Sequence, residues 1–190
     1  MEDFMNTKKM VLCAMFTALT AIGAFIKIPL PYFEYFTLQL LFVIMSGLIL
    51  GSKLGGLSVL LYVVIGLVGF PVFAAGGGPG YILKPTFGYL VGFVVAAYVT
   101  GYIEERIEKK SFRASMVASI AGMIIIYAVG IAYKYVILNV VTKVGVPLPV
   151  MIMSSVPMEV PGDIILCIAA SIINVKFRKL ASLHPEMRIE

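Results

Sequence analysis

The chain has 190 residues, of which 61% are hydrophobic and 13% charged, and a mean hydropathy of +1.02. Soluble domains run nearer ~45–50% apolar and ~25% charged, so there is too little polar sequence here to coat a water-soluble globule. The net charge of +5 does not imply nucleic acid, because a basic stripe needs an aqueous face to sit on and this composition leaves none.

A bilayer-crossing helix takes about 20 largely apolar residues. The first predicted span covers residues 10–26 and ends at IKIPLPYFEYF, where Pro29 and Pro31 stop it. The second covers 37–50 and the third, after GSKLGG, 54–69. A glycine-rich outer loop over 70–85, FPVFAAGGGPGYILKP, follows. The fourth span, 86–103, is closed by the charged run EERIEKKSFR, and the fifth extends over 114–141. In the last apolar stretch a break at Pro161 sets a short entry segment apart from a sixth helix over 160–177. The expectation is an all-α integral membrane protein of six transmembrane helices, forming a single domain over 1–190. Further apolar runs follow the first with no small-residue cleavage site between them, so no secretory signal peptide is expected.

Lys and Arg placement sets the orientation. With six spans both termini share a side, and that side holds eleven of the fifteen basic residues, among them Lys8, Lys9, Lys53, Arg106 and Arg178. Lys27, Lys84, Lys134 and Lys143 remain for the other face or the span interiors. Both termini are therefore expected to be cytoplasmic and the glycine loop outside. Cys13 and Cys167 fall inside apolar segments, where a thiol behaves as a small hydrophobe.

The motifs argue against an enzyme. The chain contains no GxxxxGK[ST] phosphate loop, and its single histidine, His184, lies in the polar tail. Glu104 and Glu105 read as the solvated end of a helix. The first three and last three spans show no internal repeat.

Polar residues against the hydrocarbon are costly, and each is a functional candidate: Glu34, Gln39, Lys84, Lys134, Asn139, Glu159 and Asp163. Glu34, Lys84 and Glu159 fall near the outer interface, where a snorkelling side chain is the alternative. Lys134 stands deep in the fifth span beside Tyr127, Tyr133 and Tyr135; it either lines a cavity or reaches the boundary. Asp163 follows Pro161 and Gly162. It is read either as the cap of a helix beginning there or as an acceptor for ligand N–H groups in a dry site. Gly76, Gly77 and Gly78 make the loop unable to hold a stable helix. It offers backbone amides to a ligand and has the freedom of a lid, or it is a plain flexible outer loop. Neighbouring aromatics, Phe70 and Tyr89 among them, suit a flat apolar ligand. On the first helix, Ala14 and Ala18 lie four apart, so another helix can approach closely. That helix belongs either to this chain or to a partner.

The stretch from IKIPLP through TLQ, GLVGFPVFAAGGG and KPTFGY, with Tyr127-Ala-Val-Gly130 and Pro161-Gly162-Asp163, resembles the biotin-specific S components (BioY family) of energy-coupling factor transporters over essentially the whole chain. The resemblance implies the S-component fold and uptake of biotin across a prokaryotic cell membrane. It also implies docking through Ala14 and Ala18 on a transmembrane coupling subunit that carries two cytoplasmic ATPases. ATP is then used by the partners only, and no cofactor is bound covalently. Asp163 matches the family aspartate that contacts the biotin head group; Gln39, Gly76 to Gly78 and Tyr89 match elements near the pocket. The family's lysine three residues after that aspartate is Leu166 here, two glycines of its GPTGGY element are Lys84 and Phe87, and a tryptophan of the fifth helix is Tyr133. A ligand carboxylate without a partner is expensive. Lys84 is therefore the expected replacement cation and Lys134 the second. A lipoate-like cofactor or a biotin precursor is the alternative substrate, and a membrane scaffold the alternative of another class.

Overall fold

The computed structural model describes residues 7–28, 36–108 and 111–184. Glu34 and part of the IPLP element lie outside them. Among the described residues there are five α-helices: α1 (Thr7–Phe25), α2 (Gln39–Val68), α3 (Phe87–Arg106), α4 (Phe112–Val136, running into a π turn, Ile137–Val141) and α5 (Leu148–Leu183). Five helical segments are long and apolar enough to cross a membrane. A two-residue antiparallel ribbon, β1 (Lys27–Ile28) with β2 (Phe36–Thr37), closes the connection from α1 to α2.

The stretch expected to hold two spans, 37–50 and 54–69, is a single helical element, α2, kinked at Gly51. Gly51 has φ 81 and ψ −178, a left-handed conformation that glycine adopts at little cost. The chain folds back on itself there. Gln39 Nε2 donates to the Tyr62 hydroxyl at 2.8 Å, although 23 residues of straight helix would hold them about 35 Å apart. Ser46 Oγ likewise reaches the Gly55 carbonyl at 3.5 Å. The expected linker over 51–53 thus shrinks to one residue, and helix resumes directly after it.

The fold-back is tied to α3. The Ser52 amide and hydroxyl both donate to the Glu105 carboxylate, at 2.7 and 2.8 Å. Its neighbour Glu104 is 1% exposed. It accepts from Ser115 Oγ on α4 at 3.3 Å and Asn174 Nδ2 on α5 at 3.2 Å, and pairs with Arg178 at 3.1 Å. The solvated helix end expected for this pair is corrected for Glu104, which is buried between helices; Glu105 is exposed, as expected, while also tying α2 to α3. In lipid, where apolar burial gives helices little reason to associate, such bonds and close small-residue contacts hold a bundle together. Truncating Glu104 to Ala leaves Asn174 and the Arg178 guanidinium without it, and a loss of about 3 kcal/mol is expected. A thermal melt in detergent checks this, with Glu108→Ala, on the exposed surface, as the neutral comparison.

A second correction concerns the last span. No break occurs at Pro161: α5 is continuous over 36 residues, with Pro157 and Pro161 inside it, and is about 54 Å long. Each proline removes a single backbone bond, a loss that membrane helices tolerate. Asp163 therefore sits mid-helix, and the reading that made it a helix cap falls.

The loop over 70–85 is also more ordered than its composition implies. Phe73 and Gly76 exchange backbone hydrogen bonds at 2.9 and 3.1 Å, and the Gly78 amide donates to the Gly66 carbonyl at 2.7 Å. A 3₁₀ turn, Pro79–Leu83, completes it. The Phe73 ring is buried between Tyr62 and Tyr81, with centroids 5.4 and 4.6 Å away.

Candidate functional site

At the end of the bundle where α2 begins, α3 begins and α4 ends, a cavity of about 940 Å³ opens beneath the 70–85 loop. That is within the ~300–1,000 Å³ common for small-molecule sites. Its walls come from β2, α2, the loop, α3, α4 and α5, so elements far apart in the sequence must meet to form it.

Its floor is defined by two side chains. Asp163 is 7% exposed, and its Oδ2 accepts a hydrogen bond from the Tyr127 hydroxyl at 2.5 Å. Tyr127 is its one hydrogen-bonding partner among the described residues, and the carboxyl group keeps acceptor capacity for a ligand. The Tyr89 ring stands edge-on to Tyr127, centroids 6.3 Å apart, and gives the cavity an aromatic wall. Gln39 lines the wall from the start of α2, its amide nitrogen spent on Tyr62, which in turn donates to the Val72 carbonyl at 3.3 Å.

Two cations line the cavity higher up. Lys84 is exposed; its Nζ donates to the Ala75 carbonyl at 3.1 Å and lies 4.5 Å from the Tyr81 ring centroid. Lys134 is half-buried on α4 and donates to Ser155 Oγ on α5 at 3.1 Å. Of its two readings, lining a cavity is the one the geometry bears out. Leu166 is buried in the apolar core and carries no charge to the site.

Six of the eleven expected binding residues thus meet in one cavity: Asp163, Lys84, Gln39, Tyr89, Tyr127 and Lys134. The other five lie outside its wall. Phe70 is 61% exposed and faces away. Tyr133 donates to the Ile82 carbonyl at 2.6 Å and packs on Phe87, so it buttresses the 3₁₀ turn. Gly76, Gly77 and Gly78 shape the loop, while Ala74 and Ala75 are the loop residues that reach the cavity. Sequence reasoning missed these alanines, and also Thr86, Ser154 and Ser155. The prolines around 147–161 had hidden that Ser154 and Ser155 belong to the helix of Asp163.

Ala14 and Ala18 are exposed on α1. Packing of this pair within the chain is excluded; the buried small residues of α1 are Gly23 and Ala24 instead.

A helical bundle with a ligand-sized cavity at one end, its wall mostly apolar with Lys84, Lys134, Glu159 and Asp163 set into it, has the architecture of a small-molecule-binding membrane protein. The chain belongs to the BioY family, whose model matches residues 1–182. It is 50% identical over 135 residues to the probable biotin transporter BioY of Lysinibacillus sphaericus, 71% of this chain and 68% of that protein. It is 32% identical over 180 residues to the biotin transporter BioY of Rhizobium etli, 90% of this chain and 92% of that one. Among solved structures it resembles the S-component for biotin from an ECF-type ABC transporter, with a TM-score of 0.81 over 92% of this chain and 95% of that one. At 24% identity that likeness concerns the fold.

Proposed function

We propose that this chain is the substrate-binding S component of an energy-coupling-factor importer and that biotin is its substrate. It is a transporter subunit and not an enzyme. The observation that carries the reading is the Asp163–Tyr127 pair on the floor of a cavity, within a chain of the BioY family. The ureido head of biotin offers N–H groups that a buried carboxyl oxygen accepts, and its fused rings fit against Tyr89. Burial of the Asp163 carboxyl strengthens such hydrogen bonds.

The chain works as a single domain of six spans in a prokaryotic plasma membrane, surrounded by lipid, with both termini cytoplasmic. The fold-back at Gly51 supports that count, since the two arms of α2 run antiparallel. Energy comes from a transmembrane coupling subunit and two cytoplasmic ATPases. The exposed small-residue face at Ala14 and Ala18 supports docking there. Replacing both alanines with Leu should leave biotin binding by the isolated subunit intact and remove its copurification with the coupling subunit. Unchanged copurification would place docking elsewhere.

A further inference from the structure

Resting on the biotin reading, we infer that Lys134, oriented by Ser155, is the cation that binds the ligand carboxylate, and that Lys84 fastens the loop instead. Tyr127 and Lys134 are seven residues apart on α4, close to two full turns, so they share a face and differ in level by about 10 Å. Eight bonds separate the ureido carbon of biotin from its carboxyl carbon, and an extended chain advances about 1.2 Å per bond, or roughly 10 Å in all. A ureido group at the level of Asp163 thus sets the carboxylate at the level of Lys134.

The local chemistry at Lys134 fits that role. Ser155 Oγ accepts from the ammonium at 3.1 Å and also hydrogen-bonds Tyr89 on the cavity wall, which orients the lysine within the site. The ammonium keeps its remaining hydrogens for a carboxylate, on a side chain held between α4 and α5. Lys84 has a different environment. It belongs to the loop, is exposed, and lies between the Ala75 carbonyl and the Tyr81 ring, so its ammonium clips the loop across the cavity mouth. Glu159 lines the same cavity one helical turn from Ser155. Recognition of the carboxylate therefore has to be separated from a general change in wall charge.

Calorimetric titration of the detergent-purified chain with biotin and with biotin amide makes that separation. Lys134→Met should weaken biotin about ten- to a hundredfold and leave the amide nearly unchanged. Lys84→Met should weaken both ligands alike. Lys134→Arg, which keeps the charge, should recover most of the affinity and guards against reading a folding defect as lost recognition. Equal losses for acid and amide in Lys134→Met, or an acid-selective loss in Lys84→Met, overturn the assignment while biotin remains the substrate. Absence of binding of either ligand by the folded unmodified chain overturns the biotin reading, and this assignment with it.

Discussion

Asp163→Ala should lower biotin affinity at least ~30-fold, the largest effect expected from any single change in the cavity. Asp163 is buried at the cavity floor with one of its oxygens taken by Tyr127. Removing it leaves ligand N–H groups without that buried acceptor, at about 1–3 kcal/mol for each stranded donor. Tyr127→Phe keeps the ring edge against Tyr89 and removes only the hydroxyl that fixes Asp163, so a smaller loss, about tenfold, is expected. Phe70→Ala should change little, since that ring is exposed and is not part of the cavity wall. A loss at Phe70 matching that at Asp163 would mean that the binding site has been placed at the wrong surface.

Gly101→Ala should be strongly destabilising for a change of one methyl group. A Cβ at this position would lie 2.4 Å from the Ser52 nitrogen and 2.5 Å from the Gly51 carbonyl carbon, both backbone atoms. The fold-back cannot move aside easily, because Gly51 holds a left-handed conformation and Ser52 is tied twice to Glu105 on the same helix as Gly101. Overpacking commonly costs about 1–3 kcal/mol, and here it strikes the point where α2 reverses. A much lower melting temperature in detergent is expected. Gly80→Ala is the control: its Cβ would meet nothing within 4 Å, and a change below about 0.5 kcal/mol is expected. Similar melting temperatures for the two variants would show that α2 and α3 do not approach this closely.

Much of the bundle is legible in the sequence because lipid imposes long apolar runs. The expected spans over 86–103 and 114–141 come within a few residues of α3 and of α4 with its π turn. Elsewhere the local signal is ambiguous. GSKLGG announces a reversal, yet only the fold shows that Gly51 alone makes it. Pro157 and Pro161 carry a strong local preference for a break, which tertiary packing around α5 overrides. Asp163 stands out as a carboxyl group in an apolar stretch, whereas its bond to Tyr127, 36 residues away, depends on how α4 meets α5. Glu104 was hidden for the same reason. Its surroundings in sequence are charged and its partners Asn174 and Arg178 lie 70 and 74 residues further on, so no local pattern marks it as buried. Phe70 illustrates the opposite error: an aromatic next to the loop has the right chemistry, but which way a loop residue faces is not a property of composition.

Whether this cavity binds biotin decides the proposed function. Calorimetric titration of the detergent-purified protein with biotin, and in parallel with lipoate and desthiobiotin, tests it most directly. The account predicts tight one-to-one binding of biotin, weaker binding of lipoate, which lacks the ureido donors, and loss of biotin binding in Asp163→Ala. Protein shown to be folded that gives no heat with biotin, or that prefers lipoate, would contradict it.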